Sequence, residues 1–253
     1  MHQRDNIMKG GVIIIGSLLW DDERIRRSWR ENHLCHSRGF RVYLPIRYGR
    51  HSSTRYDTYT IVLSNKCYSK GYKLGSGWVL PSRAEINSFS DFKNEAKKMG
   101  AVEGFEDGFT ALWGSVALIF NPDKEADEGI RGMWSNFMSR KLSDHPLLSA
   151  KLKTEKPSIN PNGFLTIKWP KEVTPEGKID DMDFLIATVT KPTLIKGRYP
   201  TVNQIANAMN QAKYFNYFLN NQKHGIVTFQ DKRILKRINI NCAHEHSSHK
   251  VSV

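Results

Sequence analysis

Cysteine is scarce: the 253 residues contain three, Cys35, Cys67 and Cys242, far apart and with no CxxC pair. An odd, scattered set makes no disulfide frame and lacks the spacing of a structural zinc site, so it fits reduced thiols in a cytoplasm. Long apolar runs are missing too. Val12-Ile13-Ile14-Ile15 is short, and even Gly11 to Trp20 falls well below the roughly 20 residues that cross a bilayer, so no membrane partner is expected. Met1 to Gly10 is charged and leads by a short apolar run into Asp21-Asp22-Glu23-Arg24, with no small-residue cleavage site. No secretory signal is read there, and a cytoplasmic location is expected. Walker A, GxGxxG and HExxH patterns are absent, as are zinc-finger and RNA-recognition signatures.

Acidic residues are outnumbered: 25 Asp and Glu stand against 38 Lys and Arg, a formal net charge of +13. What is present otherwise argues for a folded chain. Hydrophobic residues make up 39% and aromatics 11%, enough apolar surface to offset the entropy of ordering. The length suits one large domain or a core with an extension. The positive charge is clustered. Residues 21 to 56 hold nine Arg, no Lys and only four acids, and Lys223, Lys232, Arg233, Lys236 and Arg237 face only Asp231. Arginine without lysine favours forked contacts to carboxylate or phosphate, because a guanidinium binds two oxygens at once. A solvated basic face is the other reading.

Gly11 to Leu19 reads as a buried strand ending in a Gly-Ser turn, and Asp21 to His33 as a helix. Phe40 to Ile46 is a second strand, Arg47 to Asp57 a polar loop, Thr58 to Ser64 a third strand and Gly77 to Leu80 a fourth. Ser82 and Glu85 form a capping-box pattern, predicting a helix with Ile86, Phe89, Phe92 and Ala96 on one face and a stop at Gly100. Leu112 to Phe120 is a fifth strand before the Asn121-Pro122-Asp123 turn. Beyond it, a helix over 130 to 149 with Trp134, Phe137 and Met138 in the core, and a short strand over 164 to 169, are expected. Phe184 to Thr190 is a further buried strand. A helix opening at Thr201 carries Ile205, Ala208, Ala212, Phe215 and Leu219, and Gly225 to Phe229 closes an α/β unit.

Gly16-Ser17-Leu18-Leu19-Trp20, after the strand Gly11 to Ile15, resembles the Gly-Ser-Leu loop that follows the first strand in the γ-glutamyl cyclotransferase-like family. The similarity covers about residues 11 to 120. It departs at Ile15, where the family usually has an aromatic, and the family's Leu-Asp-x-x-Glu-Gly pattern appears only loosely, in Ser90-Asp91-Phe92-Lys93-Asn94-Glu95-Ala96. The resemblance implies a lactam-forming enzyme. Gly16, Ser17 and Leu18 would hold the γ-glutamyl end by backbone amides, and Glu95 would move the proton, with Glu85 and Glu103 as alternatives. One carboxylate suffices for such a transfer. It also implies an α+β fold, a cyclotransferase-like mixed sheet or barrel with flanking helices over 1–125. An appended α/β segment over 126–240, separate or of the same domain, and a His- and Ser-rich tail over 241–253 complete the expected organisation.

Arg47, Arg50 and Arg55, set among Gly, Ser, Thr and Tyr, suit an anionic group beyond a γ-glutamyl amine. The expected partner is a small anionic or γ-glutamyl substrate. A non-enzymatic module binding nucleic acid or a protein through the basic surface is the rival reading. No cofactor and no metal are expected, Cys242, His244, His246 and His249 being read as an incidental terminal cluster.

Overall fold

The computed structural model describes residues 7–125, 127–148 and 156–239. Nine strands and six α-helices among these residues make an α+β protein. The strands are β1 (Gly10–Ile14), β2 (Phe40–Leu44), β3 (Ile46–Ser52), β4 (Thr58–Leu63), β5 (Gly75–Pro81), β6 (Thr110–Ala111), β7 (Gly114–Phe120), β8 (Lys171–Glu172) and β9 (Phe184–Thr190). The helices are α1 (Arg24–His33), α2 (Phe89–Val102), α3 (Glu128–Leu142), α4 (Val202–Ala212), α5 (Asn216–Lys223) and α6 (Asp231–Leu235).

Seven strands form one open mixed sheet in the order β6-β7-β9-β1-β5-β2-β8, and β3 with β4 forms a separate antiparallel pair. The barrel alternative therefore fails, because the sheet ends in the two-residue edge strands β6 and β8 and does not close. Its one parallel pairing is β1 with β9, in register Gly10 to Phe184 and Val12 to Ile186. All five residues of β1 are buried, as its unbroken apolar run requires of a strand covered on both faces. Since β9 lies between β1 and β7, residues well beyond 126 supply an interior strand of the same sheet.

Several local expectations change. Arg47 to Ser52 is strand, and only Ser53–Arg55 forms a short helical turn before Tyr56 and Asp57 take positive φ. The Ser82 start is displaced. Ser82 and Ile86 instead bridge to Leu34 and Met8, holding the chain extended. The helix begins after Ser88, whose Oγ accepts from Asp91 N–H at 3.2 Å while Asp91 Oδ2 accepts from Asn87 N–H at the same distance. That pair repeats the capping logic six residues on. Gly100 does not stop the helix. Its α-carbon packs where a Cβ would sit 2.0 Å from Gly108 O. Helix α3 ends at Leu142, ahead of Asp144 at φ +58° and Pro146. Residues 164 to 169 contribute single bridges at Phe164 and Leu165, and Gly225 to Phe229 a single bridge, Val227 to Ser76. Lys213 at φ +51° breaks the long helix after Thr201 into α4 and α5.

Phe92 of α2 meets Phe184 of β9 edge-on at 4.8 Å and Trp134 of α3 at 5.2 Å, which ties both helices to the sheet. Helix α4 packs on β4, and α5 on the turn after β1. No helix among the described residues is long and apolar enough to cross a membrane.

Candidate functional site

Where β1 ends, Gly16 leads into a single turn of 3-10 helix, Ser17–Leu19. Leu19 N–H donates to Gly16 O and Asp21 N–H to Ser17 O, at 3.1 and 2.8 Å. The N–H groups of Ser17 and Leu18 precede the first of these bonds and have no intrahelical acceptor. Arg30, 7% exposed, fixes the turn from behind: its Nη1 donates to Leu18 O at 2.9 Å and to Asp21 O at 2.7 Å. Trp20 Nε1 donates to Asn221 Oδ1 at 2.8 Å, anchoring the other side to α5. Gly16 is required by close approach. A Cβ there would lie 2.7 Å from Tyr217 Oη, itself the acceptor for Ile61 N–H at 3.2 Å.

This turn forms one wall of a cavity of about 370 Å³, which it shares with Arg26, Arg50, Arg55, Glu103, Trp113 and Tyr217, among others. Arg55 Nη2 donates to Ser17 Oγ at 2.6 Å, and its guanidinium lies over the Tyr217 ring at 4.7 Å. Arg50 lies over the Trp113 ring at 4.3 Å. Arg26 is ion-paired to Asp21. Arg50 and Arg55 have no such carboxylate partner among the described residues, so the cavity carries excess positive charge.

Glu103 is its carboxylate. The reason it points here lies in how α2 ends: Gly104 N–H donates to Ala101 O at 3.0 Å and Phe105 N–H to Gly100 O at 2.9 Å. These are the two bonds of a Schellman cap, and Gly104 takes the left-handed position at φ +87°. Glu103 is thereby the C-cap residue of the helix, one position past Val102. Its Oε1 accepts from Thr188 Oγ1 of β9 at 3.0 Å. Burial pushes the Glu103 carboxyl above its ordinary value, against the opposing pull of Arg26, the Thr188 hydrogen bond, Arg55 and Arg50. The negative end of α2 acts in the same direction as burial. Burial lowers Arg50 and raises Tyr217 from their usual values. A carboxyl of raised proton affinity, beside arginines that draw in an anion, is suited to take up and return a proton.

Gly16, Ser17, Leu18, Arg50 and Arg55 thus line one cavity. Three residues read from the sequence fall outside it. Glu95 lies elsewhere on α2, where its Oε1 accepts from Lys98 Nζ at 2.7 Å, so the cavity's acid is Glu103, one of the alternatives. The exposed Glu85 is absent from the lining as well. Arg47 opens onto a different cavity. Arg30, Trp113, Thr188 and Tyr217 were not read from sequence. Thr188 and Tyr217 come from beyond residue 180, where no motif marks them. Among the described residues no three His, Cys, Asp or Glu side chains gather as a metal site, and Cys242 to His249 lie outside those residues. Comparison of the chain with family models, curated proteins and solved structures gives no match.

Proposed function

We propose that the chain is a γ-glutamyl cyclotransferase-like enzyme that converts a γ-glutamyl amine, or a related amide, into 5-oxoproline and the free amine. The observation carrying this reading is that one carboxylate of raised proton affinity, Glu103, lines the same cavity as the Gly16-Ser17-Leu18 turn. The substrate's α-carboxylate meets the N–H groups of Ser17 and Leu18 and the guanidinium of Arg55. Glu103 takes a proton from the α-ammonium. The freed amine attacks the γ-carbonyl carbon, a new C–N bond closes the five-membered lactam, and the old C–N bond breaks. The attacking nitrogen gives up a second proton as the lactam forms, and this proton and the one held by Glu103 both pass to the leaving nitrogen, which departs as an ammonium, so no water is consumed and the carboxylate is regenerated. Aimed N–H donors at the turn also oppose the charge that develops on the carbonyl oxygen.

Arg50 and Arg55 support a small ligand over a nucleic-acid surface, because both turn into the cavity and rest on Trp113 and Tyr217. Mass spectrometry of 5-oxoproline released from a panel of γ-glutamyl amines and dipeptides tests the reaction class. Product from at least one member is expected. Absence of product from every member, with oligonucleotide binding that weakens steeply as salt rises, would favour the nucleic-acid module instead.

A further inference from the structure

The register of the β3–β4 hairpin sends its arginines to two places. Arg47 pairs with Val62 and Arg50 with Thr60, two residues apart on β4, because a bulge at Gly49 absorbs the odd position. Both therefore leave the hairpin on one face, but at different ends. Arg47 opens onto a second cavity of about 480 Å³, which shares no lining residue with the cavity at the Gly16 turn.

Arg47 is 6% exposed, and its Nε is buried without a hydrogen-bond partner among the described residues. Aromatic faces surround its guanidinium: the ring centroid of Tyr199 lies 4.2 Å from Cζ, and those of Tyr72 and Phe229 5.6 Å. Rings stabilise the cation through its faces but leave the buried in-plane Nε–H unanswered, and a buried donor on a charged group in that condition is costly. The remaining charged lining has the same sign. Lys66, Arg198 and Arg233 border the cavity, no Asp or Glu does, and none of the three forms an ion pair among the described residues. The N-terminus of the 11-residue helix α4 reaches it at Thr201 and Val202. The Thr201–Gln204 capping box occupies the N–H groups of those two residues and leaves that of Val202, in the first turn, without an intrahelical acceptor.

We propose that this cavity binds the phosphate of a small phosphomonoester, with Arg47 as the fixed fork. A dianion with three terminal oxygens matches a buried fork, a helix N-terminus and rim cations, whereas one carboxylate would leave most of that charge unanswered. The Tyr72 and Phe229 rings, edge to face at 5.4 Å, offer an apolar wall to the organic part of the ester. The proposal does not depend on the reaction assigned to the first cavity.

Calorimetric titration of the full chain with phenyl phosphate and with inorganic phosphate, at constant ionic strength, tests it. Phenyl phosphate is expected to bind, and more tightly than inorganic phosphate. Arg47→Met should weaken it about tenfold or more, while Arg55→Met, altered in the other cavity, retains it. Arg47→Met should also keep its Tm, because a methionine replaces a buried cation without unmet donors. If that variant does not fold, Arg198→Gln combined with Arg233→Gln must weaken binding. No binding of either probe by the wild type, equal binding by the altered chains, or loss in Arg55→Met alone would overturn the proposal. Binding of a single-stranded oligonucleotide but of neither small probe would overturn it in favour of a nucleic-acid groove.

Discussion

Glu103 draws its proton affinity from burial that three arginines do not fully offset. In the proposed reaction the rate of lactam formation should accordingly rise with pH along a limb centred above the ordinary carboxylate range, since Glu103 must be deprotonated to act as the base. A pH profile of kcat/KM checks this, and a limb at the usual Glu value would contradict it. Asp231 supplies a second titration. It is 3% exposed, and burial raises its pKa from 3.8 to about 6. The folded state then holds a proton that the unfolded state has released. Stability is fully present below about pH 4 and declines as pH rises to about 6, by on the order of 2–3 kcal/mol. Chemical denaturation of Asp231→Asn across that window should show the decline removed. At this scale the sequence was half legible: Gly16 and Ser17 stand out as a strand-ending turn, whereas choosing among Glu85, Glu95 and Glu103 depends on where each side chain is aimed. Glu95 sits in the better motif match and points to Lys98.

Elements show why aim is hard to read. Helix α2 could start at either of two Ser-x-x-acid patterns, and the earlier one lost to Ile86, which is fully buried and bridges to Met8. Strand β3 looks like a loop because Arg, Gly, His and Ser fill it, yet it pairs with β4 along its length, with Gly49 as the bulge. The end of α2 is the element on which the site depends. A Cβ at Gly104 meets nothing within 4 Å, so Gly104→Ala carries only the cost of a left-handed backbone, about 1–2 kcal/mol. Because the cap aims Glu103, kcat should fall by more than that loss of stability explains. Thermal unfolding and turnover measured on the same variant test this, and a destabilised variant with unchanged kcat would contradict it.

Across the whole molecule, the sheet joins the two halves of the sequence. The resemblance covers about residues 11 to 120, while β9, Thr188 and Tyr217 lie well past it and complete both the sheet and the cavity. Long-range strand order has no local signature, so the insertion of β9 between β1 and β7 was not legible. A fragment ending at residue 125 would expose the inner edges of both strands and should lack a cooperative unfolding transition by circular dichroism. A cooperative transition in that fragment would contradict the single-sheet account. The central claim is that the Glu103 carboxylate is the base serving the Gly16-Ser17-Leu18 turn. Its most direct test is 5-oxoproline formation by Glu103→Gln and Glu95→Gln, side by side with the wild type on a substrate the wild type turns over. The account predicts product from wild type and Glu95→Gln and a loss of about a hundredfold or more in Glu103→Gln. Full activity in Glu103→Gln would contradict it.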